Sequence, residues 1–520
     1  MTPPPSSPEP APSPERQSSS ERQSSSEPAS PADPASRREP AAAIEFRREA
    51  MRIAGVRVGA DRAGAIEVRD PFSRRLVGTV PVATVDDVRR AVAIAHGYRA
   101  TLSRFERAGL LNRAAALVRE RAAALAALIT AESGLGIRDA RYEVGRVADV
   151  LTFGAAECLR DDAQTFACDV TPQGRRRRVH TVREPLLGVI AAITPFNHPI
   201  NQVAHKVVPA IATNNRVVLK PSEKVPLSAL AFADLLYEAG LPPPMLSVLT
   251  GDPARIVDEL LAHPAVELVT FTGGVAAGKS IAARAGYRRI VLELGGNDPL
   301  IVMDDADLDE TAELAVMGSY RNSGQRCTAV KRLLVHEAVA AAFTERVVER
   351  TRAWRWGDPG DPALDMGTVI DEAAACRFQE RVGAAVAGGA RLLIGNVRDG
   401  ASYAPTVLDR VDPAMTLVRE ETFGPVSPII AFRDVDQAIA IANGTAYGLS
   451  SAVCTDRLDV IARFVAELQV GTVNVREVPG YRLELTPFGG IKDSGLGVKE
   501  GVQEAMKSFT HLKTYSLPWP

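Results

Sequence analysis

Between Gly188 and Leu294, short apolar runs and amphipathic stretches take turns with a regularity that leaves few folds open. The runs Gly188 to Ile193, Arg216 to Leu219, Met245 to Leu249, Val266 to Phe271 and Ile290 to Leu294 are too short for buried helices and rich in Val, Ile and Leu, as strands covered on both faces are. Between them apolar residues return every three or four positions, which predicts helices over Asn201 to Ala212, Ser228 to Ala239, Ala254 to His263 and Ala276 to Ala285. Strict β-α alternation implies a parallel sheet with helices on both faces, so the fold class is α/β. Ligands of such a sheet bind beyond the carboxyl ends of its strands. Thr194-Pro195-Phe196-Asn197 follows the first run, Lys220-Pro221-Ser222-Glu223 the second, Gly251 the third and Gly273-Gly274 the fourth, while Glu293 closes the fifth. A Gly-x-Gly-x-x-Gly dinucleotide fingerprint is absent, which taken alone speaks against a nicotinamide cofactor.

Amphipathic helices are expected before this stretch over Val85 to Thr101, Arg104 to Ala131 and Arg138 to Leu159. A second α/β unit follows it. Strand-like runs at Thr328 to His336, Arg391 to Ile394 and Pro425 to Phe432 alternate with helices at Glu337 to Trp354, Asp371 to Ala387 and Val435 to Ala442. Within this unit the acidic turn Asp304 to Asp309 starts a helix that delivers the chain to Asn322-Ser-Gly-Gln-Arg-Cys-Thr-Ala-Val330. A cysteine set between small polar residues, after a glycine and beside Arg326, is a candidate thiolate nucleophile, and Glu293 is a candidate base for it. The bland reading is a buried cysteine and a strand-end carboxylate in solvent.

Composition narrows the partners. A formal charge of −2 over 520 residues argues against nucleic acid or an anionic membrane, and no apolar run approaches the roughly 20 residues needed to cross a bilayer. The densest positive run, Arg175 to Arg178, lacks the interleaved aromatics of a nucleic-acid face. Five scattered cysteines with no metal-ligand spacing point to free thiols in a reducing, cytoplasmic setting and to no metal site. Residues 1–43 are rich in Pro, Ser, Glu and Ala and contain Glu-Arg-Gln-Ser-Ser-Ser twice in tandem, at Glu15 and Glu21, so a disordered tail is expected there.

Seven motifs in order carry a resemblance: Pro195-Phe-Asn-His-Pro199, Lys220-Pro-Ser-Glu223, Phe271-Thr-Gly-Gly274, Glu293-Leu-Gly-Gly296, Gly324-Gln-Arg-Cys327, Glu420-Glu-Thr-Phe-Gly-Pro425 and Pro487-Phe-Gly-Gly490. Together they resemble the aldehyde dehydrogenase superfamily. Within it, Tyr142 to Arg146, Asn322 to Arg332 and Val478 to Leu485 look closest to the phosphonoacetaldehyde dehydrogenases. The resemblance implies a variant Rossmann NAD-binding domain without the glycine fingerprint (residues 44–168 and 187–294). It also implies an α/β catalytic domain (295–507) and a small β flap for oligomerisation (169–186 and 508–520) in a homodimer or homotetramer.

The roles it implies are Cys327 as nucleophile, Asn197 with the Cys327 backbone amide as oxyanion donors, and Glu293 as the base that hydrolyses the thioester. NAD would lie along Thr194, Pro195, Phe196, Gly251, Gly273 and Gly274, with Lys220 and Glu223 on the adenosine ribose and Glu421 and Phe423 at the nicotinamide end. Most relatives have Ser where this chain has Gly274. Arg146, His198, Lys206, Arg326 and Arg482 would receive an anionic substrate, phosphonoacetaldehyde being oxidised to phosphonoacetate. Oxidation of another anionic aldehyde such as succinate semialdehyde is the alternative, and an inactive structural or binding relative the distant one.

Overall fold

A computed structural model describes residues 45–520, so the expected tail at residues 1–43 lies outside the described residues. The predicted alternation appears as a seven-stranded sheet in the order Arg289–Glu293, Val266–Thr272, Val189–Ile193, Val217–Lys220, Leu246–Val248, Met51–Ile53, Val56–Val58. Its first five strands are parallel and the last two form an antiparallel hairpin at the edge. The register places Ile193 opposite both Phe271 and Lys220, and Thr272 opposite Glu293, so four carboxyl ends open on one side.

Period-two alternation divides each strand between two cores. Ile190, Ala192, Val217, Leu219 and Leu268 face the helices Asn201–Ala212, Pro226–Glu238, Arg104–Glu120 and Ile137–Leu159, while Val189, Ala191, Val218, Val269 and Phe271 face Val85–Gly97, Pro253–Ala262 and Val275–Arg284. Fully burying such a side chain contributes about 1.5–3 kcal/mol, and a one-residue slip would exchange the two faces. The helix expected over Arg104 to Ala131 is two helices, Arg104–Glu120 and Ala122–Ser133, because Arg121 leaves helical geometry at φ −101°, ψ 17°.

The second sheet runs Arg391–Ile394, Thr406–Asp409, Val426–Phe432, Val330–His336, Asp298–Val302, Ser450–Cys454, Thr472–Val475. All neighbours are parallel except the first pair. The helix feeding Cys327, Leu308–Tyr320, is capped by Asp307, whose carboxylate accepts from Asp309 N and Glu310 N at 3.0 Å, so the acidic turn serves as read. The helix Val502–Ser508, assigned from sequence with this second unit, packs instead on the first, with Val502, Ala505 and Phe509 inside the core of Asn201–Ala212. A separate three-stranded sheet pairs Arg177–Pro185 with Thr165–Ala167 on one side and, over nine residues, with Thr510–Pro518 on the other. Among the described residues no helix is long and apolar enough to cross a membrane.

Candidate active site

The loop that carries Cys327 is built on unusual backbone. After Tyr320 the chain turns through three consecutive left-handed residues, Asn322 (φ 56°), Ser323 (φ 51°) and Gly324 (φ 67°). A non-glycine residue in this region costs on the order of 1–3 kcal/mol unless its surroundings over-determine it. Here they do. Asn322 N donates to Asp139 Oδ2 at 2.8 Å and its Nδ2 to the Asn197 carbonyl at 2.9 Å, while Ser323 Oγ donates to the Thr368 carbonyl at 2.9 Å. Gly324 has no substitute, since a Cβ there would come within 2.4 Å of the Gly424 backbone. Asn197 Nδ2 in turn donates to the Gln325 carbonyl at 2.9 Å, which orients the amide and leaves its second N–H for a ligand.

Cys327 is half-buried and stands where two cavities meet. The smaller, about 300 Å³, is walled by Pro195, Phe196, Gly273, Gly274, Glu421 and Phe423. The larger, about 770 Å³, is walled by Arg146, His198, Arg326, Arg482 and Phe488 among others. Asn197 borders the first and the neighbouring His198 the second. A single residue therefore borders both spaces.

The smaller cavity has a lining that suits the nicotinamide and pyrophosphate end of a dinucleotide. Helix Val275–Arg284 begins at Gly274 with no side-chain cap, so its free N–H groups can take a pyrophosphate. A Cβ at Gly274 would meet nothing within 4 Å, whereas at Gly273 it would come within 2.4 Å of the Phe271 ring. Phe196 and Phe423 meet edge to face at 5.9 Å between centroids. Glu421 accepts from Gly296 N at 3.2 Å, and Gly295 is glycine because a Cβ would come within 2.1 Å of Glu421 Oε2. Four residues assigned to the cofactor lie off this wall. Lys220 and Glu223 pair at 2.9 Å past the end of strand Val217–Lys220, and Gly251 (φ 143°) packs against the Ala83 backbone. Thr194 is buried, and its Oγ1 and that of Thr272 have no partner among the described residues.

On the other side, Arg326 gives one Nη2 bond to the Gly318 carbonyl at 2.8 Å, its buried Nε is unpartnered and it makes no ion pair among the described residues. Burial and the neighbouring Arg321 pull its pKa down to about 10. Arg482 stacks on Phe488, 3.9 Å from the ring centroid. Arg146 lines the cavity but is bonded to Glu484, which also takes His205. His198 Nδ1 lies 3.4 Å from Glu143, a carboxylate already accepting from Ile200 N and Asn201 N at the start of the next helix. Lys206 corrects the sequence reading. It is fully buried, donates to Glu500 at 2.6 Å and Thr270 at 3.0 Å, and does not line the larger cavity, because the helix Asn201–Ala212 turns it inward.

Glu293 is 3 % exposed, neither carboxylate oxygen is bonded among the described residues, and it lines neither cavity. Burial and the adjacent Glu500 push its pKa well above the ordinary carboxylate range. Gly489 makes room for it, since a Cβ there would come within 2.6 Å of Glu293 Oε1. Cys327 differs from a thiolate poised by the adjacent Arg326: burial pushes it up to about 11, and the cation first in opposing this is Lys331. Lys331, Glu484 and Glu500 were not singled out in the sequence. Lys331 stands four residues past the cysteine, beside Arg332 in the strand Val330–His336, and a pair of charges in a strand that is otherwise Val and Leu up to His336 was the available signal.

The Aldehyde dehydrogenase family model matches residues 58–515. The chain is 40% identical over 449 residues to 3-sulfolactaldehyde dehydrogenase of Priestia megaterium, covering 86% of this chain and 94% of that one. It is 40% identical over 411 residues to sulfoacetaldehyde dehydrogenase of Neptuniibacter caesariensis, covering 79% and 89%. Among solved structures, the NADP-dependent glyceraldehyde-3-phosphate dehydrogenase of Bacillus halodurans complexed with NADP superposes with a TM-score of 0.88 at 36% identity, covering 91% of this chain and 100% of that one. The NAD-dependent aldehyde dehydrogenase of Sinorhizobium meliloti does so with a TM-score of 0.87 at 34% identity, covering 91% and 95%. The match over residues 58–515 and the relatives at 40% identity, with a cysteine between a slot and a basic cavity on a fold common to all of these, make the chain a member of the aldehyde dehydrogenase family, an oxidoreductase that oxidises an aldehyde with NAD or NADP.

Proposed function

We propose that this enzyme oxidises a small aldehyde bearing a tetrahedral oxyanion, phosphonoacetaldehyde in the first instance, to the acid with NAD. The observation that supports it is the pairing of Cys327 with a cavity holding Arg326, a guanidinium without a carboxylate partner. Five arginines line this cavity (119, 146, 321, 326, 482) against three acids (149, 477, 484), so an anion entering it meets an excess of positive charge. A phosphonate carries up to two charges and three acceptor oxygens, which suits several guanidinium groups better than one carboxylate does. That two relatives are named for sulfonated aldehydes agrees with a tetrahedral anionic head.

In this reading the Cys327 sulfur adds to the carbonyl carbon and the proton of the thiol leaves to solvent. The free N–H of Asn197 and the Cys327 amide receive the oxyanion. A nicotinamide cofactor held by Pro195, Phe196, Phe423 and the helix start at Gly274 would supply the hydride acceptor, and loss of the hydride leaves a thioester on Cys327. Glu293, once ionised and turned into the cavity, takes a proton from the water that hydrolyses it. Glu223 supports NAD because a carboxylate at the adenosine ribose accepts from a 2'-hydroxyl and repels a 2'-phosphate. The edge of strand Thr510–Pro518, unpaired among the described residues, supports assembly as a homodimer or homotetramer.

Initial rates of NADH and NADPH formation with phosphonoacetaldehyde, sulfoacetaldehyde, succinate semialdehyde and propionaldehyde test this. The highest kcat/KM belongs to phosphonoacetaldehyde with NAD. A higher value for either other anion replaces the proposed substrate, and a higher value for propionaldehyde removes the anionic reading altogether.

A further inference from the structure

Lys331 lies in strand Val330–His336, four residues beyond Cys327, with its side chain 2 % exposed. Its Nζ donates to the Cys327 carbonyl at 2.6 Å and the Arg326 carbonyl at 2.8 Å, and lies 3.0 Å from Glu421 Oε1. Three N–H groups thus meet three acceptors, two on the backbone around the nucleophile and one on the cofactor wall. The ammonium also lies 5.7 Å from the centroid of Phe423, on that same wall.

Other charged and titratable groups surround this knot. Asp298, on the neighbouring strand, has a buried Oδ2 without a partner and is pushed by burial up to about 8. Arg332 is spent on the carbonyls of Asn297, Ile441 and Ala442. The Tyr447 hydroxyl accepts from Glu421 N at 3.3 Å. Arg482, across the cavity, acts on the Cys327 thiol in the same sense as Lys331. Among these groups Lys331 alone touches both the nucleophile loop and Glu421.

We propose that Lys331 is a positioning residue for the oxidation: it pins the Arg326-Cys327 backbone and holds Glu421, so that one side chain sets the nucleophile and the cofactor wall together. This rests on Cys327 being the nucleophile. The test is alkylation of full-length protein by iodoacetamide across pH, read as mass added to the peptide carrying Cys327, for wild type, Lys331→Met, Lys331→Arg and Glu421→Gln.

Lys331→Met raises the midpoint of alkylation by roughly one pH unit or more and lowers kcat/KM by roughly tenfold or more. Lys331→Arg restores most of the midpoint. Glu421→Gln, which removes the counter-charge, lowers it. A Lys331→Met protein with a reduced Tm or a raised cofactor KM but an unmoved alkylation profile overturns the proposal. Should that variant not fold, Glu421→Gln decides alone, and an unmoved or raised midpoint is then the contrary result. Turnover retained by Cys327→Ala would instead sink the nucleophile assignment, which the alkylation profile does not depend on.

Discussion

Glu293 and Glu484 are buried to nearly the same degree, 3 % and 5 % exposed, and have opposite fates. Burial works against the charge of both. Around Glu484, Arg146, Arg482 and His205 overcome that and hold the carboxyl far below its usual range, whereas Glu293 has no hydrogen-bond partner, and burial together with Glu500 pushes it up. Burial alone therefore does not decide protonation in this site; the placement of cations does. One carboxylate is a fixed anchor for two arginines; the other is left unpartnered among the described residues, as the proposed role in proton transfer requires.

The sharpest way to break this contrast is to remove the charge of each in turn. Glu293→Gln lowers steady-state turnover by about 10²- to 10⁴-fold while leaving a first-turnover burst of NADH, measured by stopped-flow absorbance. Full steady-state activity in that variant would show that Glu293 is not the base. Glu484→Gln acts on stability, since it strands buried guanidinium groups: a loss of about 3–5 kcal/mol is expected in urea unfolding at neutral pH. Because the folded pKa of Glu484 is depressed, this contribution is present above the ordinary carboxylate range and fades as pH falls below it, so wild type and variant converge in acid.

Arg326 is the cation that neither carboxylate claims. Arg326→Leu is expected to lower kcat/KM for phosphonoacetaldehyde about 10- to 150-fold and to leave propionaldehyde nearly unchanged. An equal fall for both substrates would assign Arg326 to the support of Cys327 instead. The smallest effect again concerns Glu293. Its folded pKa is raised, so wild type is favoured below the ordinary carboxylate range and penalised as pH rises through the folded value. Glu293→Gln is therefore more stable than wild type at pH 8, on the order of 1 kcal/mol, with a smaller gain at pH 4. Equal Tm differences at both pH values would contradict an unpartnered carboxylate.

What could be read beforehand follows from where each signal resides. The helix Asn201–Ala212 and the strand Arg391–Ile394 were bounded as observed, because local apolar periodicity and flanking polar residues determine them. The strands Asp298–Val302, Ser450–Cys454 and Thr472–Val475 were not identified, although Ile301 and Val453 lie deep in the core. Each is short and adjoins glycine or acidic turns, and the sheet that contains them is assembled from residues far apart in sequence. The motif glycines were legible, and coordinates supply their reason: Gly295 clears Glu421, Gly296 clears the Cys327 carbonyl and Gly489 clears Glu293. The direction of a side chain was not legible. Lys206 and Arg146 both read as substrate cations, and only packing distinguishes a lysine turned inward to Glu500 from an arginine on the cavity wall.

Among the described residues the last strand, Thr510–Pro518, pairs on one side only, and its Leu512, Tyr515 and Leu517 are about half exposed. An unpaired edge of nine residues with apolar side chains is a surface that another chain can extend. Its consequence belongs to how the enzyme is handled: thermal stability should depend on protein concentration, and dilution or a charge placed at Leu512 should lower the melting temperature without any change at Cys327.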